Sequence, residues 1–327
     1  MNRLGTTSLT VLCVVGIAAG QDIPIPKHRA RQIADAAPAK PRAAPKKPRR
    51  ALIWNTPKHL LARDPHKGYC TPYGCQAMKT LGTKTGAYTP VASDDVAVFL
   101  PESIKQFDVI ILNNACGNWI TPSDEAMKKL AAHGDKQAVE AMLRKSITDW
   151  LKRGGGIVAY HYALGANRNW REFGEMIGAR IAGHPWNEEV GIKVEEPAHP
   201  LVAAFDGKGF RLHEEIFQYR EPFDRSKCRV LLSLDNAATN MNVKNYRLRE
   251  DGDFALAWVR SVGKGRVFYT ALGHRTQLYW NPRILRFYLD GIQFAAGDLA
   301  APTRPRPPGE SKPSRAPKPV PKPKPAG

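Results

Sequence analysis

This 327-residue chain is short of cysteine and of acidic residues. It has five cysteines, and one of them, Cys13, lies in an apolar run near the N-terminus. The others are Cys70, Cys75, Cys116 and Cys228. Only Cys70 and Cys75 are close together, and no second pair matches their spacing. A structural zinc site wants four ligands, so this pair alone is weak evidence for zinc. No His-x3-His or His-Glu-x2-His pattern occurs, so no helical zinc-hydrolase signature is present. There is no internal repeat. Past the N-terminal apolar run, no stretch is long and apolar enough to span a bilayer.

Asp and Glu number 30 against 49 Lys and Arg, a net charge of +19. The excess is uneven. Residues 21–50 hold nine Lys/Arg and two Asp, giving +7. Residues 301–327 hold seven and one Glu, giving +6. Arg3 adds one, which leaves +5 for residues 51–300. The basicity therefore belongs to the ends of the chain. The central part has no basic motif of known nucleic-acid-binding geometry, so a nucleic acid partner is not expected.

The N-terminus reads as a secretory signal over residues 1–20: Arg3, an apolar run from Leu4 to Ala18, and a small-residue site at Ala18-Ala19-Gly20. An uncleaved anchor is the alternative, although the run is short for a bilayer span. Export places the mature chain in the periplasm or outside the cell, where disulfides persist. Cys70 and Cys75 flank Thr71-Pro72-Tyr73-Gly74, a turn-forming sequence, so a small disulfide loop is expected. Residues 21–50 read as a basic Ala/Pro-rich linker without structure. Residues 301–327 read as a Pro/Lys-rich tail of extended spacer character. These ends suit an anionic cell-envelope polymer, or serve only for solubility.

Hydrophobic content of 43% supports a real core, and residues 51–300 read as one domain. Strands are expected over 51–54, 85–91, 107–114 and 157–160. A long loop over 55–80 holds His59, His66 and the cysteine pair. Val96 to Phe107 reads as a short helix, 138–152 as a strong amphipathic one, and 168–177 as another short one. Short β-like runs follow at 190–194, 210–219, 229–234, 254–260 and 265–270, and a helix over 282–296 closes the domain. The pattern is α/β, a parallel-sheet core with β-rich additions in the C-terminal half.

The centre of the chain is Gly154-Gly155-Gly156-Ile157-Val158-Ala159-Tyr160-His161. The glycines stop the preceding helix, and the apolar run is a buried strand. His161 then stands at the carboxyl end of that strand, where open α/β sheets bind ligands.

Taken with Gly183-His184-Pro185, His199-Pro200-Leu201, Glu214-Glu215-Ile216-Phe217, Gly263-Lys264-Gly265-Arg266, Leu272-Gly273-His274 and Trp280-Asn281-Pro282, this stretch resembles the ThuA-like (trehalose utilisation) family over about residues 50–300. The resemblance implies a flavodoxin-like fold related to class I glutamine amidotransferases, and a link to sugar metabolism. It also implies a histidine close behind the first strand, a place that His59 or His66 fills. Where the family often has Asp-Glu before its aromatic, this chain has Glu214-Glu215 before Phe217. Amidotransferase relatives keep a Cys nucleophile at the strand-to-helix elbow. Here His161 takes that place, and no Cys lies within forty residues on either side. Glutaminase chemistry is therefore not expected. Cys116 near the third strand is the one thiol that would revive it.

What remains is a His/Glu set: His161, His184, Glu215 and His274, with His199 and Glu214 secondary. Two chemistries suit them. Neutral His and a carboxylate hold Zn²⁺ or another divalent ion. Alternatively they act as metal-free general acid and base. Tyr160, Tyr162, Trp186 and Trp280 lie beside these positions, with Glu214, and read as contacts for a sugar: flat rings for C–H faces and a carboxylate for hydroxyls. A non-catalytic carbohydrate-binding or envelope-associated module is the competing reading. Convergence of the four on one pocket is what separates the two.

Overall fold

Buried strands that end in loops carrying polar side chains are what position the site. The structure is a computed structural model, and it describes residues 23–306. The expected export signal and most of the C-terminal tail lie outside the described residues. No helix among those described is long and apolar enough to cross a membrane.

Nine strands form one mixed sheet in the order β2-β1-β3-β4-β9-β8-β7-β5-β6. Strands β1 (Arg50–Trp54), β2 (Thr89–Ser93), β3 (Val109–Asn113), β4 (Gly156–Tyr160) and β9 (Gly265–Thr270) are parallel. Every residue of β3 and β4 is buried. That is why they read as unbroken apolar runs: a parallel strand is covered on both faces. Strands β5 (Arg180–Val194), β6 (Phe210–Arg220), β7 (Arg229–Leu234) and β8 (Ala255–Val262) extend the sheet antiparallel. This is the β-rich half that the sequence announced. Only residues 192–194 of β5 pair with β7, so the rest of the β5–β6 pair makes no ladder with β7.

Helices α1 (Lys27–Ala36), α2 (Thr71–Thr85), α3 (Asp124–Leu130), α4 (Lys136–Lys152), α5 (Arg171–Ile177) and α6 (Pro282–Ala295) complete the fold. Helix α4 starts where Asp135 accepts from the Ala138 N–H, and α6 where Asn281 accepts from Arg283 and Ile284. Such caps satisfy donors that the first turn leaves free. Adjacent residues of an extended chain point to opposite faces. A Cβ on Gly155 would come within 2.5 Å of the Trp150 ring of α4, and one on Gly156 within 2.3 Å of the Ala295 carbonyl of α6. The glycines thus let one helix pack closely on each face.

Four expectations are corrected. Residues 55–80 are not one long loop, because α2 begins at Thr71. Pro72 sits in its first turn, where its missing N–H costs nothing. Cys70 and Cys75 are then the cap residue and the fifth residue of a helix, and no disulfide joins them. Nor are residues 23–49 without structure. Helix α1 buries Ile33, and the strap after it is tied to α6 and its C-terminal end by Arg42 on Asp290 and Arg49 on Asp298. Composition did not show this, because the basic residues find acids distant in sequence. Val96 to Phe107 forms two short 3₁₀ turns in place of a helix.

The Asp290 side chain is fully buried and accepts from Arg42 Nε and Nη2, each at 2.8 Å. Burial pushes its carboxyl up to about 6, against the pull of Arg42. Arg42→Ala leaves that carboxylate without its closest partner and is expected to cost about 3 kcal/mol. A group whose folded pKa lies above its unfolded one destabilises once ionised. The loss should therefore be largest above pH about 6 and shrink as pH falls towards 4. Urea unfolding at pH 5 and pH 8 measures it; an equal loss at both would show that Asp290 carries no such charge.

Candidate metal centre

His161 follows β4 with φ +46°, a left-handed conformation that non-glycine residues seldom adopt. Three contacts hold this elbow. Tyr269 Oη donates to the His161 carbonyl at 3.0 Å. Asn114, also left-handed at φ +54°, accepts from the Tyr162 N–H at 3.2 Å. The His161 ring stacks on Phe217 of β6, with centroids 4.4 Å apart. The ring is completely buried.

His161 Nδ1 lies 2.7 Å from the Ala271 carbonyl. A carbonyl only accepts, so Nδ1 carries the proton. That leaves the Nε2 lone pair of neutral imidazole facing Glu215 Oε2 at 3.1 Å. Lone pair and carboxylate repel unless a proton or a cation lies between them.

Two more histidines close on the same point. His274 Nδ1 is 3.6 Å from Glu215 Oε2, and it is buried with no hydrogen-bond partner. The His66 ring stands edge-on to both His161 and His274, at 5.4 and 5.5 Å. One ligand atom each from His66, His161, Glu215 and His274 can be chosen with all four within 4.8 Å of one another. Ligands about 2.0–2.2 Å from a divalent ion stand roughly 3 Å apart when adjacent and about 4 Å when opposite. Three imidazoles and one carboxylate are a donor set suited to zinc and its neighbours.

The surroundings fix these ligands. Asp64 Oδ1 lies 3.5 Å from His66 Nδ1 and accepts from the His66 N–H at 2.8 Å. Its other oxygen accepts from Thr56 Oγ1 at 2.5 Å. A carboxylate behind a histidine is the usual support of a metal ligand. Glu214, next to Glu215, points away from the cluster and accepts the backbone N–H groups of His274 and Arg275 at 2.9 and 3.3 Å. Gly273 allows the loop to come close: a Cβ there would sit 2.9 Å from His161 Cβ. Tyr279 Oη donates to the Gly273 carbonyl at 2.8 Å.

Burial lowers the basicity of both histidines, that of His274 to about 4, with the other imidazoles adding repulsion. Glu215 moves the other way. Burial opposes its charge, but a bond from His161 and the charge of His161, His274 and His184, in their protonated forms, hold it well below the usual carboxylate range. Neutral imidazoles around a charged carboxylate are the protonation states in which metal ligands bind.

The structure therefore brings His161, Glu215 and His274 together, and puts His66 where the sequence reading had placed His184. His184 is one layer out. Its Nδ1 is 3.5 Å from Glu215 Oε1, its Nε2 is 3.2 Å from Tyr246 Oη, and its side chain is 54% exposed. Of the two early-loop histidines, His66 is the one at the site. The Asp64-Pro65-His66 triplet, a carboxylate two residues before a His, was the sequence signal for it.

Several proposed ligand contacts are corrected. Tyr160 is fully buried against Tyr288. Trp186 is buried too, with Nε1 donating to the Asn240 carbonyl at 2.8 Å and its ring edge-on to Phe254. Glu214 is buried and anchors backbone. None of these three can meet a soluble ligand. The Trp280 ring is covered by the Arg29 guanidinium at 4.4 Å and stands edge-on to Tyr73. His199 caps a 3₁₀ turn by accepting from the Leu201 N–H. Tyr162 alone of that set stays beside the cluster, its ring 5.2 Å from His66.

Cys116 hydrogen-bonds none of the histidines. It sits behind Asp64, its N–H on Thr56 Oγ1 at 2.9 Å. Burial and the Asp64 charge push its thiol up to about 11, so it is protonated at neutral pH and is not an activated nucleophile.

A family model described as ThuA, trehalose utilisation, matches residues 50–295. Among solved structures, the chain is similar to a ThuA-like protein from Bacteroides uniformis ATCC 8492, with a TM-score of 0.53 and 20% identity over 76% of this chain and 93% of that one. It is also similar to a ThuA-like protein from Parabacteroides merdae ATCC 43184, with a TM-score of 0.51 and 16% identity over 78% of this chain and 93% of that one. These likenesses concern the fold alone. Comparison with curated proteins gave no match.

Proposed function

The chain belongs to the ThuA (trehalose utilisation) family, and from that premise we propose that it acts on a sugar or sugar derivative at a divalent-metal centre made by His66, His161, Glu215 and His274. The observation that carries the reading is the His161 ring. One nitrogen is committed to the Ala271 carbonyl, and the other faces a carboxylate oxygen at 3.1 Å. Buried polar groups are seldom left in such opposition, and a cation resolves it together with the unpartnered His274 Nδ1.

A bound divalent ion supplies Lewis acidity towards a sugar oxygen or a water. The chain's own groups do the rest. Phe217 and the Ala271 carbonyl keep the His161 ring in one orientation. Asp64 stands behind His66, 3.5 Å from its Nδ1, and accepts its backbone N–H. His184, half exposed and steadied by Tyr246, is placed to take or give a proton on the open side of Glu215. Tyr162 offers a ring face beside the cluster. The parallel five run β2-β1-β3-β4-β9, the strand order of flavodoxin-like folds, which supports that ancestry. Export by residues 1–20, and attachment of the basic ends to an anionic envelope polymer, complete the proposal.

The test uses zinc-loaded full chain and chelator-stripped chain against trehalose and related disaccharides. Turnover of one of them only in the loaded form is expected. Saturable binding without turnover would make the protein a carbohydrate-binding module, and equal behaviour of the two forms would remove the metal from the function.

A further inference from the structure

A second cleft lies along the other end of the β5–β6 hairpin and is unusually basic. Its volume is about 980 Å³. Arg171, Arg180, Arg220, Lys227 and Arg260 line it, against Glu175, Glu221 and Asp224. Arg171 is paired with Glu175 at 3.0 Å, and Lys227 with Asp224 at 3.5 Å. Arg180, Arg220 and Arg260 have no carboxylate within ion-pair distance among the described residues, and Glu221 pairs with none of them.

Arg180 and Arg220 stand directly opposite each other in the antiparallel register of β5 and β6. Like charges in that relation destabilise a sheet. Arg260, on β8, has a buried Nε with no hydrogen-bond partner, a donor that folding left unsatisfied. Two unpaired arginines opposite each other in register, lining one cleft with a third whose Nε lacks an acceptor, make a setting that suits an oxyanion: each guanidinium can offer two parallel N–H groups to its oxygens. The cleft has room for a molecule larger than a lone ion.

Arg220 is five residues along β6 from Glu215, roughly 16 Å at strand spacing. A smaller cavity shares Arg180 and Arg220 and is lined on its other side by residues 164–168, which follow the His161 elbow. Both sites therefore use residues of β6, and the smaller cavity touches the segment that follows the His161 elbow.

We propose that Arg180, Arg220 and Arg260 form an oxyanion subsite that holds a sulfate, phosphate or carboxylate group borne by the carbohydrate ligand. The anion site stands on the cleft's own geometry, and its carbohydrate bearer rests on the function proposed above. Calorimetry with the full chain tests it, with inorganic sulfate, glucose 6-sulfate and glucose as probes. The wild type should bind sulfate saturably, and glucose 6-sulfate at least tenfold more tightly. The Arg180→Gln/Arg220→Gln double variant should lose at least tenfold for both sulfates while its metal content stays that of the wild type. Absence of sulfate binding by the wild type, or equal binding by the double variant, overturns the subsite. Sulfate binding with no gain for the sugar sulfate keeps the anion site and counts against its carbohydrate bearer.

Discussion

His161→Ala will purify without metal from zinc-supplemented medium, where the wild type will carry about one divalent ion per chain. The size of the effect follows from the geometry. Alanine removes the ligand that is completely buried and stacked on Phe217. It also removes the ring nitrogen that faces Glu215 Oε2 at 3.1 Å. Thermal melts give an independent reading, because an ion that binds only the folded state stabilises by about 4 kcal/mol at a thousand times its dissociation constant. Chelator should lower the wild-type midpoint and leave the variant unmoved. His184→Ala, which removes a half-exposed neighbour of Glu215, should keep its metal. Metal retained by His161→Ala, or lost equally from His184→Ala, would show that the four ligands are wrongly chosen.

Gly156→Ala should cost about 3 kcal/mol or more, the upper end for overpacking a core. The added methyl would stand 2.3 Å from the Ala295 carbonyl oxygen and 2.6 Å from its carbon. Both are backbone atoms of the last turn of α6, so no side-chain rotation relieves the overlap. Helix α6 would have to lift from β4, whose next residues carry His161. The variant should therefore lose stability and metal affinity together. Denaturant unfolding beside metal analysis checks this, and a variant as stable as wild type would mean that α6 is not seated on this glycine.

Much of the site was legible because its residues sit at strand ends. Val109 to Asn113 and Gly156 to Tyr160 are buried on both faces, so their apolar runs located two parallel strands and, with them, the His161 elbow. Gly273 marked the close approach that places His274. The aromatic contacts were less legible. Tyr160 and Trp186 stand beside site residues in sequence, but the alternation of strand side chains turns them into the core. Glu214 and Glu215 show the same rule within one strand: the first anchors a loop and the second faces the histidines.

The sequence by itself determined the α/β core, its β-rich extension, the family and three of the four clustered ligands. These depend on local periodicity and on residues whose neighbours in sequence constrain them. The tertiary structure alone decided that His66 and not His184 completes the cluster. It alone decided that Cys70 and Cys75 belong to a helix, and that the basic strap is fixed by Asp290 and Asp298. The physical reason is shared. Each outcome depends on which side chains meet across long separations in the chain, and charge or composition within a segment carries no record of its distant partner. His161 stands just past the carboxyl end of a buried parallel strand, but what it faces there was set by Glu215, 54 residues further along the chain.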